Sequence, residues 1–155
     1  MRKKIVTIGV ISDTHGLLRP QAVAALEGSD LIIHAGDVGD PGILTELNRI
    51  APVTAVRGNI DIEDWAKKLP ERVTLELGGL TVLTLHNVNH LVLTNQSADI
   101  VIFGHSHQPH NEFHDDTLFF NPGSAGPRRF KLPISVGRLA ISDGKPHGEI
   151  LLLNI

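Results

Sequence analysis

Short apolar runs recur along the 155-residue chain, and six of them end at a side chain that can bind a metal ion. Runs of this length, bounded by Gly or Asp, predict buried β-strands. In open α/β sheets, ligands bind at the carboxyl ends of the strands, so side chains distant in sequence are expected to meet along one edge. The six runs are Ile5–Ser12, Leu31–Gly36, Val53–Gly58, Thr81–Leu85, Ile100–Gly104 and Leu118–Phe120.

The first third of the chain alternates strands with helices. Proline marks the first turn of each predicted helix, and Asp40 is the expected N-cap of the second. Strand, helix, strand, helix and strand in series predict a parallel sheet with right-handed crossovers. The predicted elements are, in order, Lys4–Ser12, Pro20–Glu27, Leu31–His34, Pro41–Ile50 and Val53–Val56.

The rest of the chain is rich in hairpin signals. Gly78-Gly79 is a strong turn between two apolar segments, and the final third predicts further antiparallel pairs. Together the elements predict an α/β fold, a four-layer α/β/β/α sandwich of two mixed β-sheets, in one domain spanning residues 1–155. The later predicted strands are Arg72–Leu77, Leu80–Leu85, Ile100–Phe103, Asn111–His114, Thr117–Asn121, Ile134–Ile141 and His147–Leu153, with a short helix over Leu91–Ala98.

Composition narrows the classes of function. A hydrophobic content of 41% and a charged content of 20% are ordinary for a soluble protein, and no run approaches the ~20 apolar residues of a membrane helix. The formal charge of −3 and an aromatic content of 4%, without a Lys/Arg stripe, argue against a nucleic-acid partner. Because cysteine is absent, any metal must be bound by nitrogen and oxygen donors, and the chain is expected in the cytoplasm.

Seven nitrogen and oxygen donors follow five of the predicted strands. Taken singly, Asp13-x-His15 or Asp37 is a common turn feature, whereas His105-x-His107 beside a buried strand is more telling, because buried imidazoles must be neutral or bind metal. Asn59 after Gly58 also fits an ordinary turn. The combination at one sheet edge predicts a metal site formed by Asp13, His15, Asp37, Asn59, His86, His105 and His107.

These donors carry a family resemblance that covers nearly the whole chain. Their order and spacing resemble those of the calcineurin-like metallophosphoesterases, and the short length resembles the small YfcE-type phosphodiesterases within them. The segments that match are Asp13-Thr14-His15, Gly36-Asp37, Gly58-Asn59, His86, Gly104-His105-Ser106-His107 and, near the end, Asn121-Pro122-Gly123-Ser124.

The resemblance implies a phosphodiesterase with a hydroxide bridging two divalent metal ions. One ion would be held by Asp13, His15, Asp37 and His107. Asp37 would bridge to a second ion, which would also be held by Asn59, His86 and His105. Manganese is the expected metal, with iron, cobalt, nickel or zinc as alternatives, since imidazole-rich sites suit these better than magnesium or calcium.

The chain departs from the family pattern at the residue after Asn59. Many larger relatives have Gly-Asn-His-Asp/Glu, where the histidine is thought to protonate the leaving group, whereas this chain has Ile60 followed by Asp61. The nucleophile implied is the hydroxide, so Asn59 and Asp61 are the protein's own candidates for a catalytic role. The departure predicts slow turnover of esters with poor leaving groups. A second departure is Asn87 after His86, where relatives usually have glycine.

Several alternatives remain open from the sequence. The same centre would serve a phosphomonoesterase or a nucleotide pyrophosphohydrolase, and the retromer scaffold subunit shares the fold without catalysis. Asn59 and Arg128 are the candidates for binding the substrate, although a solvated arginine is the default at the Arg128-Arg129 pair. The expected partner is a small phosphoester, with no membrane, and relatives imply a homo-oligomer.

Overall fold

Two mixed five-stranded β-sheets form the framework of the protein in the computed structural model, which describes residues 5–91 and 98–155. The strand orders are β10-β9-β1-β2-β3 and β4-β5-β6-β8-β7. The elements are β1 (Val6–Ile11), α1 (Pro20–Leu26), β2 (Leu31–His34), α2 (Pro41–Asn48), β3 (Val53–Ala55), β4 (Arg72–Leu77), β5 (Leu80–Leu85), β6 (Ile100–Ile102), β7 (His110–His114), β8 (Thr117–Asn121), β9 (Ser135–Ser142) and β10 (Lys145–Leu152), with 3₁₀ turns at Asp64–Lys68 and Val88–His90.

The first sheet contains the parallel unit that the sequence predicts. β1, β2 and β3 run parallel, and helices α1 and α2 make the two crossovers. Both helices begin at proline, and the Asp40 side chain caps α2 by accepting from the Gly42 N–H at 2.8 Å. β9 and β10 complete the sheet, because β9 pairs antiparallel with β1.

The second sheet combines parallel and antiparallel pairs. β5, β6 and β8 are parallel, and the hairpins β4–β5 and β7–β8 add an antiparallel strand at each edge. The final third is therefore less uniform than expected, since β8 lies parallel to β6 and the β9–β10 hairpin joins the other sheet. Hairpin signals are local in the sequence and carry no information about which sheet a hairpin joins. The helix predicted over Leu91–Ala98 falls largely on residues outside the described ranges.

Alternate residues of β1 divide the core into two layers. Ile8 and Val10 pack between the sheets, against residues such as Val82 and Phe120. Ile11 faces the opposite way and packs with Leu26 and other helical side chains. Because both faces of the strand are covered, it is continuously apolar in sequence. The predicted layered α/β sandwich of two mixed sheets is confirmed, and a single domain spanning residues 1–155 stays a prediction.

A buried histidine links the carboxyl ends of β1 and β2. The Gly36 N–H donates to His34 Nδ1 at 3.1 Å, so the proton of the neutral ring lies on Nε2, which is 3.0 Å from Thr14 Oγ1. The Thr14 hydroxyl then donates to the Val38 carbonyl at 2.8 Å. Burial, reinforced by His86, lowers the pKa of His34 to about 3, while Asp37 opposes the shift. A neutral His34 therefore braces the two loops that follow these strands.

Because buried His34 stays neutral, the free energy of unfolding depends on pH in a defined direction. Between pH 6.5 and about pH 3 the unfolded chain binds a proton at residue 34 that the folded chain does not, so the free energy of unfolding falls on acidification. We expect His34→Gln to lose less stability than the wild type between pH 7 and pH 4.5, measured by urea unfolding in chelator. The exposed His147→Gln is the matched control and should behave like the wild type. Parallel profiles for His34→Gln and the wild type would contradict this role.

Candidate metal centre

The seven predicted donors come together where the carboxyl ends of five strands from both sheets meet. Asp13 and His15 follow β1, Asp37 follows β2 and Asn59 lies in the loop after β3. From the second sheet, His86 follows β5, and residues 105 and 107 lie in the loop after β6. Six of these side chains form two groups, each with ligand atoms within 4.8 Å of one another: Asp13, His15 and His107 in one, and Asp37, His86 and His105 in the other.

The first group surrounds the carboxylate of Asp13, which is fully buried. Its Oδ1 atom is 3.6 Å from His107 Nε2 and 4.0 Å from His15 Nε2. Asp13 Oδ1 and His15 Nε2 are buried atoms without a hydrogen-bond partner in the described part of the chain. Buried polar atoms are normally paired, so these converging atoms point to a ligand that satisfies them.

Asp37 belongs to the second group and also faces the first. Its Oδ2 atom is 3.4 Å from His15 Nε2 on one side and 3.2 Å from His86 Nε2 on the other. The second oxygen, Oδ1, accepts from the Ile60 N–H at 3.0 Å. One carboxylate thus faces donors of both groups, which is the position that the family resemblance implies for a bridging ligand.

The ring of His86 is oriented by the backbone behind it. Its Nδ1 atom lies 2.8 Å from the Ala35 carbonyl oxygen, which can only accept, so Nδ1 carries a proton. Burial alone would lower the pKa of His86, but the hydrogen bond and charge of Asp37 raise it, so without a metal ion Nε2 donates to Asp37 Oδ2 at 3.2 Å, and a bound ion would take the place of that proton. Histidine ligands of metals commonly have their second nitrogen fixed in this way.

The amide of Asn59 faces the second group. Its Oδ1 atom is 3.1 Å from His86 Nε2 and 3.2 Å from His105 Nδ1. With oxygen and nitrogen exchanged, the amide would instead donate to both Asp37 oxygens, at 3.2 and 3.3 Å. The oxygen-inward orientation suits a cation, whereas the nitrogen-inward orientation also lets the amide donate to His86 Nε2 at 3.1 Å and His105 Nδ1 at 3.2 Å.

The backbone around the donors is unusual. Five of the eight non-glycine residues with positive φ in the described ranges are Asp13, His15, Asp37, His105 and His107, with φ between 47° and 72°. A left-handed conformation is disfavoured for residues with a Cβ atom, and such outliers cluster at functional sites. The conformation turns the chain sharply at each strand end and directs successive side chains into the cluster.

Asp61 holds two of these loops together. Its Oδ2 atom accepts from the N–H groups of Val38 at 3.1 Å and Gly58 at 2.9 Å, and Oδ1 accepts from Gly39 at 3.0 Å. The side chain is buried, with both oxygens engaged. This geometry gives Asp61 a positioning function and leaves no free oxygen for proton transfer.

Two glycines permit the close approach of the loops. A Cβ atom on Gly58 would lie 2.2 Å from both the amide nitrogen and Oδ1 of Asp37. One on Gly104 would lie 2.1 Å from Ser12 Oγ and 2.9 Å from Asp13 Oδ2. The space beside each aspartate is therefore filled by glycine backbone, and any side chain there would displace a carboxylate.

Burial dominates the electrostatics of the cluster. It raises the pKa of Asp13 from 3.8 to about 7. It also lowers the pKa of His107 to about 4, with the Arg129 guanidinium as the next cause, and lowers that of His15. Burial alone would raise the pKa of Asp37, but hydrogen bonds from His86 and the Ile60 N–H keep it below its ordinary value. The imidazoles of His15 and His107 are neutral at pH 7 and the Asp13 carboxylate is costly to ionise, so a bound cation would relieve that cost.

The remaining predicted residues lie at the margin of the cluster. Arg128 is exposed and its Nη1 is 3.5 Å from the Leu132 carbonyl oxygen, whereas its neighbour Arg129 acts on the pKa values of two cluster histidines. Asn121 braces the β6 loop by donating to the Gly104 carbonyl at 3.1 Å. Ile60 is 38% exposed, so a side chain at that position reaches solvent beside Asn59.

A cavity of about 260 Å³ adjoins the second group of donors. Arg57 and Arg72 line it and were not singled out in the sequence. Arg57 pairs with Glu71 at 3.1 Å, and Arg72 donates to the His90 carbonyl at 3.1 Å. The position of Arg57 directly before Gly58-Asn59 was the one signal that could have identified it. The donor set and the unpartnered buried atoms both fit divalent metal ions.

No helix within residues 5–91 and 98–155 combines the length and the apolar character needed to cross a membrane.

Comparison with known proteins shows that the chain belongs to a family. Residues 6–144 match the model of the calcineurin-like phosphoesterase superfamily domain. A probable metallophosphoesterase of Methanothermobacter thermautotrophicus is 38% identical over 93% of this chain and 91% of its own length. Phosphodiesterase YfcE of Escherichia coli K12 is 30% identical over 83% of this chain and 84% of its own.

A solved structure with the same fold comes from a protein of different name. Vacuolar protein sorting 29 of Cryptosporidium parvum superposes with a TM-score of 0.75 at 19% identity, covering 94% of this chain and 96% of that one. Identity at this level shows the fold alone. From its sequence match and its relatives, the chain belongs to the calcineurin-like phosphoesterase superfamily and is a metal-dependent phosphoric ester hydrolase.

Proposed function

We propose that the protein hydrolyses phosphodiesters at a centre of two divalent metal ions. The observation that carries this proposal is the position of Asp37 Oδ2, 3.4 Å from His15 Nε2 and 3.2 Å from His86 Nε2, between two groups of donors. A carboxylate in that position can be shared by two ions. The phosphodiesterase named among the relatives supports the diester as the substrate class.

Each ion would be held by a separate set of side chains joined at Asp37. When bound, two such ions would supply a hydroxide nucleophile at neutral pH and would neutralise the charge of the phosphate ester. Four positive charges from the ions exceed the two negative charges of the aspartates, which favours an anionic ester. Manganese is the proposed metal, with iron, cobalt, nickel and zinc also compatible with nitrogen and oxygen donors. The proposed sets are Asp13, His15, Asp37 and His107 for the first ion, and Asp37, Asn59, His86 and His105 for the second.

The protein's own groups position the substrate around this centre. The Asn59 amide borders the cavity and can donate to a phosphate oxygen when its carbonyl faces the second group. Arg129 adds positive charge near His15 and His107. The cavity gives room for one of the two ester groups of a diester beside His86 and His105. Arg128 keeps a weaker claim to substrate binding, because its guanidinium is directed to Leu132.

The leaving group receives little help from the protein. Ile60 occupies the position where larger relatives carry a histidine, and Asp61 has both oxygens bound to backbone amides. Esters with acidic alcohols, such as aryl esters, leave without protonation, whereas alkyl esters need a proton. We therefore expect aryl diesters to be the better substrates.

We expect Asp37→Asn to lose metal and activity together. The amide keeps the volume of the side chain but removes the negative charge between the two groups. Elemental analysis should find fewer bound ions, and hydrolysis of bis(4-nitrophenyl) phosphate should fall about 10²-fold or more, since the loss affects both attack and charge stabilisation. Asp40→Asn is the matched control, because asparagine caps a helix as well as aspartate does. Full metal content and activity in Asp37→Asn would refute the shared ligand.

Introducing a proton donor beside the centre should selectively raise the turnover of alkyl esters. Ile60→His is expected to raise turnover of alkyl diesters by about 10²-fold and to leave aryl diesters nearly unchanged, because general acids matter only where the leaving group needs a proton. Ile62→His, two residues on and 77% exposed, is the control. An equal effect on both ester classes, or none on alkyl esters, would contradict the assignment of Ile60.

A substrate panel separates the proposal from its alternatives. Chelated protein reconstituted with Mn²⁺ is expected to cleave aryl diesters faster than aryl monoesters or nucleoside diphosphates. Faster monoester or pyrophosphate cleavage would favour the alternative enzymes on the same centre. Binding of two ions without hydrolysis of any phosphoester would favour a scaffold function. A homo-oligomer and a cytoplasmic location stay predictions.

A further inference from the structure

A third group of side chains that could hold a metal ion lies on the edge strand of the second sheet. His110, Glu112 and His114 occupy alternate positions of β7, so their side chains share one face of the strand. Their ligand atoms lie within 4.8 Å of one another. The group shares no residue with the metal centre, and neither the family match nor the named relatives assign it a function.

The two imidazoles converge more closely than the strand alone requires. Four residues of extended strand separate the Cα atoms of His110 and His114 by about 13 Å. Their ring centroids are nevertheless 5.9 Å apart, and the rings are parallel to within 5°. Both side chains therefore lean towards each other over Glu112, which places a carboxylate beside two ring nitrogens.

Neighbouring aromatic side chains support this arrangement. The ring of His110 lies 5.9 Å from that of Phe103, and the ring of His114 packs edge-on against Phe119 at 5.3 Å. Beneath the rings, β7 is held in register by β8, with His110 opposite Asn121 and His114 opposite Thr117. The ligand atoms are thus carried by an ordered surface rather than by a free loop.

We propose that His110, Glu112 and His114 form a separate binding site for a late first-row divalent ion, of which zinc is the best match. Two imidazoles and one carboxylate are a ligand set that zinc accepts, with a fourth position left for water. The single negative charge of Glu112 draws a cation, and the half-buried to exposed positions give it direct access from solvent.

The site would fix an edge that connects the two sheets. On the opposite face of β7, the Asn111 side chain donates to the Gly148 carbonyl of β10 at 2.9 Å. An ion that ties both ends of β7 together would therefore stabilise an edge strand of the second sheet that also contacts the first sheet. The site acts on the fold and does not depend on the phosphodiesterase proposal.

Zinc titration of the metal-stripped full chain by calorimetry tests the site. The wild type is expected to bind one more Zn²⁺ than His114→Gln, whatever the number bound at the metal centre. His147→Gln, an exposed strand histidine outside the group, should match the wild type. Glu112→Gln is a second variant and should weaken or abolish the binding of the same ion. Equal stoichiometry in the wild type and His114→Gln would overturn the proposal.

Imidazole ¹⁵N spectra of the wild type give a readout that needs no variant. The ring signals of His110 and His114 are expected to shift together as the additional Zn²⁺ binds, while those of His147 stay in place. Unmoved signals at both residues throughout the titration would overturn the proposal even if the ion counts differed. Added Zn²⁺ should raise the unfolding midpoint of the wild type more than that of His114→Gln, each compared with its own midpoint in the presence of a chelator, because the lost contacts of the His114 ring affect both measurements of the variant equally.

Discussion

The parallel pairing of β1 with β2 continues beyond the strands, and the rest of the metal centre depends on it. The N–H of Asp13 donates to the Gly36 carbonyl at 3.0 Å, and the N–H of His15 donates to the Asp37 carbonyl at 2.9 Å. These bonds bring two carboxylates with low exposure to the same end of the sheet. Their proximity is unfavourable without a positive charge between or beside them, so the hydrogen-bonded backbone favours the binding of cations there. The nearby imidazoles supply the further donor atoms for such cations.

The centre is expensive for the fold, and its cost is distributed. Left-handed backbone at five donor positions costs about 1–3 kcal/mol for each residue. Burial of the Asp13 carboxylate adds an ionisation penalty, expressed in its pKa of about 7. Asp61 and His34 compensate for part of this cost, because their hydrogen bonds hold the loops in place. The glycines at 58 and 104 let those loops approach closely. Ions that bind the folded state alone would offset much of the remainder.

Much of the fold could be predicted from the sequence because the signals for strands, helices and hairpins are local. Alternation of buried runs with proline-initiated helices gave β1 to β3, and glycine or aspartate pairs gave the hairpins β4–β5 and β7–β8. The ligand residues were readable because each follows a buried run. The allocation of β9–β10 to the first sheet was not readable, because strand partners are chosen by packing across the whole chain.

Other features of the site are invisible in one sequence. The left-handed conformations of residues 13, 37 and 105 arise from constraints on both sides of each turn, and aspartate and histidine carry no strong local signal for them. The binding of Asp61 to three backbone amides depends on two loops that are distant in sequence. Arg57 and Arg72 looked like ordinary surface arginines until the cavity placed them beside Asn59.

The donors of the first group come from opposite halves of the sandwich, with Asp13 and His15 on one sheet and His107 on the other. Any ion bound there would link the two sheets to each other. Removal of the metal would then let the two sheets separate at the end that carries the metal centre, while the apolar core between them held the other end together. A chelator would therefore increase the susceptibility of the protein to proteolysis, and the first cleavages would fall in the loops around the metal centre.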